Sequence, residues 1–252
     1  MKNIIYLLLL TIISCKNENN TSIIFEENFD GNQLNEEYWN FELGDGCPEL
    51  CGWGNNESQF YTKENISFRD GNLVITAVKD SVGYTSSKIT TAKKIEFQYG
   101  TIEARAKVAT GQGIWPAIWM LGSDIKENGW PVCGEIDVLE YVGKEPKTVY
   151  TTLHTPKNHG GNASSKKTRI DNIEEGFHVY KANWTKDKID FLVDDILVYS
   201  YSPKMKDDKN WPFDKPFYII LNLAVGGNFG GPEVDDSIFP QEFIIDYVKV
   251  YQ

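Results

Sequence analysis

From residue 23 onward, apolar and polar positions alternate with period two in short runs broken by Gly, Asn, Asp and Pro, and no long stretch repeats with period 3.6. The alternation predicts strands over residues 73–78, 99–108, 148–154, 189–193, 196–199 and 243–251, with Asp194-Asp195 as a two-residue hairpin turn. In one of them Ile102, Ala104, Ala106 and Val108 face one way while Glu103, Arg105 and Lys107 face the other. A single open sheet of this size would leave an apolar face wet, so the expected fold is all-β, two packed antiparallel sheets in a sandwich. Residues 42–60, 121–133 and 155–176 are too rich in Gly, Asn and Pro for regular elements and read as long loops, where function concentrates.

The start of the chain is different. Residues 1–14 combine a short positive beginning with an apolar run too short to span a bilayer as a permanent helix, which is an export signal. Its end, Ile12-Ile13-Ser14-Cys15, resembles a bacterial lipobox, implying cleavage before Cys15 and lipidation of that cysteine. Residues 15–22 then form a polar tether and residues 23–252 one domain. The expectation is an exported lipoprotein, held at the outer membrane or cell surface through its lipid alone, and monomeric.

A net charge of −11 with scattered basic residues excludes nucleic acid and anionic membrane surfaces as partners. Aromatic residues make up 13% of the chain, seven of them Trp, and flat apolar rings in an acidic protein suit the faces of sugars. Beyond Cys15 the cysteines number three, so at least one is unpaired. Cys47 and Cys51 are spaced to bridge across Pro48-Glu-Leu, and Cys133 stands apart; the set matches no zinc spacing.

The segment Gly134-Glu-Ile-Asp-Val-Leu-Glu-Tyr-Val-Gly143 reads as a strand, yet it carries three acids and no base. Acids are depleted in strands and like charges on one face repel, so the pattern opposes folding and invites a functional explanation. Glu135 and Asp137 share a face. Glu140 would face the opposite way unless a β-bulge near Val138-Leu139 brings it back. With the bulge, Glu135 and Glu140 are about 13 Å apart at Cα, a span that long side chains can close to the roughly 5–5.5 Å carboxyl spacing of a retaining glycosidase.

The acid pattern resembles glycoside hydrolase family 16 and its laminarinase-like branch, whose bulged motif Glu-x-Asp-x-x-Glu is met by Glu135, Asp137 and Glu140. Trp53-Gly-Asn-Asn-Glu-Ser-Gln-Phe-Tyr-Thr62, Gly113-Ile-Trp-Pro-Ala-Ile-Trp-Met-Leu121, Leu153-His-Thr155 and Asn222-Leu-Ala-Val-Gly-Gly-Asn-Phe229 extend the likeness over nearly the whole domain. The resemblance implies a β-jelly-roll with an open cleft and endo-cleavage of β-1,3- or mixed-linkage β-1,3/1,4-glucan with retention. It implies Glu135 as nucleophile, Glu140 as acid/base and Asp137 as their partner. Trp53, Trp115 and Trp119 would wall the cleft. Asn55, Glu57, Arg105 and Asn222 would bind sugar, and His154 the acid/base or the sugar beyond it. No cofactor is needed for the chemistry, but relatives' structural calcium would fall at Gly71 and Asp246. Within the family the alternative is an endo-β-galactanase; outside enzymes it is a non-catalytic glucan-binding module, against which the three acids argue.

Overall fold

The structure, a computed structural model, describes residues 21–252; the export signal and Cys15 lie outside them. Two sheets face each other. The first runs, by neighbour, Ser164–Arg169, Thr148–His154, Glu135–Tyr141, Ile114–Gly122, Phe217–Val225, Lys88–Thr90 and Asn40–Phe41, with Glu96–Phe97 also on Phe217–Val225. The second has Gly100–Lys107 and Gln241–Tyr251 at its centre, flanked by His178–Trp184 and Asn72–Lys79. Pairing is antiparallel except between Gln59–Tyr61 and Tyr84–Ser86.

Alternation explains the packing. Ile114, Ile118, Met120, Ile136, Leu139, Leu153, Leu221 and Leu223 point inward from the first sheet and are fully buried. Ile75, Ile102, Ala104, Phe191, Phe243 and Val248 meet them from the second. Each of the larger side chains contributes about 1.5–3 kcal/mol by leaving water. Among the described residues helix is confined to single turns such as Ile125–Asn128 and Gly227–Gly230, and no helix there is long and apolar enough to cross a membrane.

The predicted strands are present: Asn72–Lys79, Gly100–Lys107, Thr148–His154, Ile189–Val193, Ile196–Tyr201 and Gln241–Tyr251. Asp194 and Asp195 both adopt positive φ, 49° and 64°, as the right-handed twist of a tight hairpin demands. The loop expectations hold only in part, since 42–60 contains the 3₁₀ turn Cys51–Gly54 and 121–133 the helical turn Ile125–Asn128. Residues 155–176 are not all loop, because Ser164–Arg169 adds an edge strand to Thr148–His154. Its Ser-Ser-Lys-Lys-Thr-Arg sequence has no apolar face to betray it, since an edge strand outside the core needs none. Cys47 and Cys51 are disulfide-bonded and Cys133 is free and buried.

Gly143 follows the acid-bearing strand, and its N–H donates to the Ile114 carbonyl at 2.9 Å. A Cβ there would lie 1.6 Å from the Gly111 carbonyl oxygen, closer than atoms can approach without moving backbone. Gly143→Ala is expected to cost roughly 2 kcal/mol or more and to lower Tm by several degrees in calorimetry, whereas Gly161→Ala, with nothing within 4 Å, leaves Tm in place.

Candidate active site

The bulge falls where strand parity requires it. Ile118 pairs with Leu139 but Trp119 with Asp137, skipping Val138. On the other side Asp137 pairs with Thr152 and Glu140 with Tyr150, so three steps on one strand match two on its neighbour. Val138 and Leu139 both turn into the core. Glu135, Asp137 and Glu140 therefore share the outer face of the first sheet, in register with Leu121, Trp119 and Ala117 on the next strand. Beyond these lie Tyr218, Ile220 and Asn222, and beyond Asn222 lies Lys88.

The three acids stand in different surroundings. Glu135 Oε2 accepts from the Trp130 indole Nε1–H at 2.9 Å. Its Oε1 lies 3.5 Å from His154 Nε2, which is also 3.3 Å from Asp137 Oδ2. His154 Nδ1 accepts from the Gly160 N–H at 3.1 Å, so in the neutral ring the proton sits on Nε2, facing the two acids. Asp137 is 3% exposed, and its Oδ2 is buried without a hydrogen-bond partner. Glu140 is buried and receives the Thr152 hydroxyl on Oε2 at 3.0 Å.

Burial pushes all three carboxyls up. Glu135 rises to about 8, through desolvation and the charge of Asp137, against the pull of His154 and the Trp130 donor. Desolvation raises Asp137 as well. Glu140 is held well above its ordinary value by desolvation and then by Asp137, with the lowering effects of His154 and Thr152 too small to offset them. Donors that favour the anion gather on Glu135, while Glu140 has one hydroxyl donor and is raised by desolvation and by the charge of Asp137. That is the division of labour between a nucleophile and a general acid.

Trp119 and Trp115 also lie on this outer face. Trp53 approaches from the loop before Gln59–Tyr61, its Nε1–H bonded to the Gly44 carbonyl at 3.2 Å. The buried Lys88 ammonium stands over both Trp53 and Trp119, 4.1 and 5.2 Å from the ring centroids, with Glu42 as its ion-pair partner at 2.7 Å. At the other end Trp115, Phe229 and Tyr150 pack edge to face.

Several sequence expectations need correction. Arg105 is on Gly100–Lys107, in the second sheet, ion-paired with Asp246 and resting on the Phe177 ring at 4.5 Å. Its polar face was read correctly, but strand alternation says nothing about which sheet a face belongs to. Glu57 does not offer a free carboxylate, since Gln59, Tyr61 and Asn55 donate to its two oxygens. His154 sits against Glu135 and Asp137, not Glu140, because it is the cross-strand partner of Glu135. At the expected calcium position the Asp246 side chain is ion-paired with Arg105, so Gly71 and Asp246 could contribute to an ion there mainly through backbone carbonyls, with water completing the shell. Trp130 and Lys88 were missed. Trp130 precedes Pro131 in an irregular stretch, and only its five-residue offset from Glu135 hinted at contact; a lysine between two aromatic rings leaves no periodic mark.

An outer sheet face that sets two glutamates, unequally served by hydrogen-bond donors, among aromatic walls defines a glycoside hydrolase. The chain belongs to glycosyl hydrolases family 16, whose model matches residues 54–248. It superposes on the laminarinase from Flavobacterium sp. UMI-01 with a TM-score of 0.90 and 63% identity, covering 92% of this chain and 100% of that one. It is 38% identical to a beta-glucanase of Rhodothermus marinus over 91% of this chain and 85% of the relative. It is also 37% identical to glucan endo-1,3-beta-glucosidase A1 of Niallia circulans, over 92% of this chain but only 38% of that longer protein.

Two outcomes follow. Trp130→Phe removes a donor that favours ionised Glu135, so the acid limb of the kcat/KM profile is expected to move to higher pH by about half to one unit, with the alkaline limb unmoved. A carboxyl whose folded value is raised binds more protons folded than unfolded, so it subtracts stability as pH rises from its unfolded value toward its folded one. Glu140→Gln deletes that penalty, and at pH 8 its Tm is expected to exceed that of wild type by a few degrees, the gap shrinking toward pH 4.

Proposed function

We propose that the protein is a retaining endo-β-1,3-glucanase, also acting on mixed-linkage β-1,3/1,4-glucan, exported and tethered to the bacterial surface by a lipid on Cys15. The observation that carries the enzymatic reading is the bulge between Asp137 and Glu140, which puts all three acids on one face. The relatives' names support glucan as the substrate. So does the net charge of −11, since a sulfated galactan would call for a basic cleft. The anchor rests on the sequence around Cys15 alone.

In this reading the Glu135 carboxylate attacks the anomeric carbon while Glu140 gives its proton to the glycosidic oxygen; the C–O bond breaks and the shortened chain leaves as an alcohol. Glu140, now a carboxylate, takes a proton from water as the water oxygen attacks the same carbon and releases Glu135. Two inversions give retention. Asp137 lies between the two, and its charge opposes the loss of the Glu140 proton. The indole of Trp130 and the Nε2–H of His154 steady Glu135 as an anion.

Sizing the products from laminarin, lichenan, barley glucan, agarose and poly-N-acetyllactosamine tests the substrate, with oligosaccharides expected from the first three only. Glu135→Ser and Glu140→Ser are each expected to lower kcat on laminarin by about 10³-fold or more. Products from agarose alone, binding of laminarin by wild type without new reducing ends, or full activity in Glu135→Ser each overturn the reading.

A further inference from the structure

The half-buried carboxylate of Glu57 plays no part in the chemistry above, yet it terminates a hydrogen-bonded chain that begins at the cleft wall. Trp119 Nε1–H can only donate, and it donates to Asn222 Oδ1 at 2.8 Å. That contact fixes the Asn222 amide, whose Nδ2 donates to Tyr61 Oη at 3.0 Å. Having accepted there, Tyr61 directs its own hydrogen to Glu57 Oε2, 3.3 Å away. From the opposite side the Val225 backbone N–H donates to Gln59 Oε1 at 2.7 Å. Gln59 Nε2 is thereby turned to Glu57 Oε2, also at 2.7 Å, and Asn55 Nδ2 reaches Oε1 at 3.3 Å.

Two donors that cannot be reversed, an indole and a backbone amide, thus set the direction of the bonds that run through Asn222, Tyr61 and Gln59; Asn55 alone is free to turn. All these bonds end on one carboxylate, and protonation would set an O–H donor among groups that are themselves donating to it. Gln59, Tyr61 and Asn222 are buried, so a donor left unmatched among them has no water to turn to. Burial pushes Glu57 up, while Gln59, Lys88, Asn55 and Tyr61 act to keep its charge. Lys88 completes the arrangement by holding the Trp119 face while Asn222 holds its edge.

We propose that Glu57 is a positioning residue: as the anionic end of the Tyr61–Asn222 relay, it fixes the tilt of the Trp119 indole against which the sugar lies, without touching the glucan itself. The proposal rests on the reading of the outer face as a glucan cleft. Its mark is a dependence on the indole N–H, which a merely structural carboxylate would not show.

The test is a double-mutant cycle on kcat/KM for laminarin, using Tyr61→Phe, which cuts the relay at nearly constant shape, and Trp119→Phe, which removes its first donor. Tyr61→Phe alone is expected to lower kcat/KM about 10-fold, and by less than about twofold when added to Trp119→Phe. Glu57→Ala should behave as Tyr61→Phe. Glu57→Gln should recover most of the loss, because its amide oxygen can serve Tyr61 and Gln59 if Asn55 turns its own amide round. Equal factors in both Trp119 backgrounds overturn the proposal. A second readout needs no turnover: the indole N–H resonance of Trp119, assigned by its disappearance in Trp119→Phe, is expected to shift in Tyr61→Phe, and an unmoved resonance overturns the relay. Failure of wild type to cut laminarin would overturn the glucanase reading while leaving this resonance test intact.

Discussion

Everything at this site depends on the cost of keeping three carboxyl groups together in a nearly dry strand. An isolated charge buried without partners is expensive, and three like charges are worse. The sheet answers with a bulge that brings the groups to one face and with donors placed unequally among them. Trp130 attends Glu135, His154 stands between Glu135 and Asp137, and a hydroxyl attends Glu140, while Asp137 Oδ2 makes no hydrogen bond. Inequality is the useful outcome, because a nucleophile and an acid of the same residue type differ only through what surrounds them.

The aromatic wall follows the same logic at longer range. Trp119 sits in register with Asp137 on the neighbouring strand, so any tilt of its ring is felt beside the acids. Its edge is held through amides and a phenol, its face by an ammonium. The loop that carries Trp53 is closed on itself by the Cys47–Cys51 disulfide, and its 3₁₀ turn places Trp53 at a positive φ of 52°. A cross-link over so short a loop removes about 2 kcal/mol of chain entropy from the unfolded state in the loop-closure model. Aromatic platforms work when they cost little to hold still, and both of these are fixed before any ligand arrives.

How much of this was legible in the chain varies with the physics of each part. The sandwich could be read because alternation at period two is a local property, and the bulge because parity made the Asp137–Glu140 spacing impossible without one. Arg105 shows the limit: its outward direction was right and its sheet was wrong, since pairing between Gly100–Lys107 and Gln241–Tyr251 is settled far along the sequence. Glu57 was recognised as special, but whether a carboxylate faces a ligand or its own neighbours depends on Gln59, Tyr61 and Val225 meeting in space. Lys88 and Trp130 matter through cross-strand and loop contacts alone, and neither spacing nor composition encodes those.

The strand Ser164–Arg169 closes the first sheet at the end nearest the acids, and it is polar on both faces. Its outer backbone groups are the natural template for a strand from a second molecule, which would extend the sheet and stack copies side by side. Lys166, Lys167 and Arg169 stand along that edge, Lys167 paired with Glu145 and Arg169 with Asp171, so a second copy arriving edge to edge would meet long charged side chains and would have to displace those pairs. The same residues that hid this strand from a pattern of alternating hydrophobicity therefore keep sheets that bind an extended polymer from adding to one another when many copies gather along a single chain.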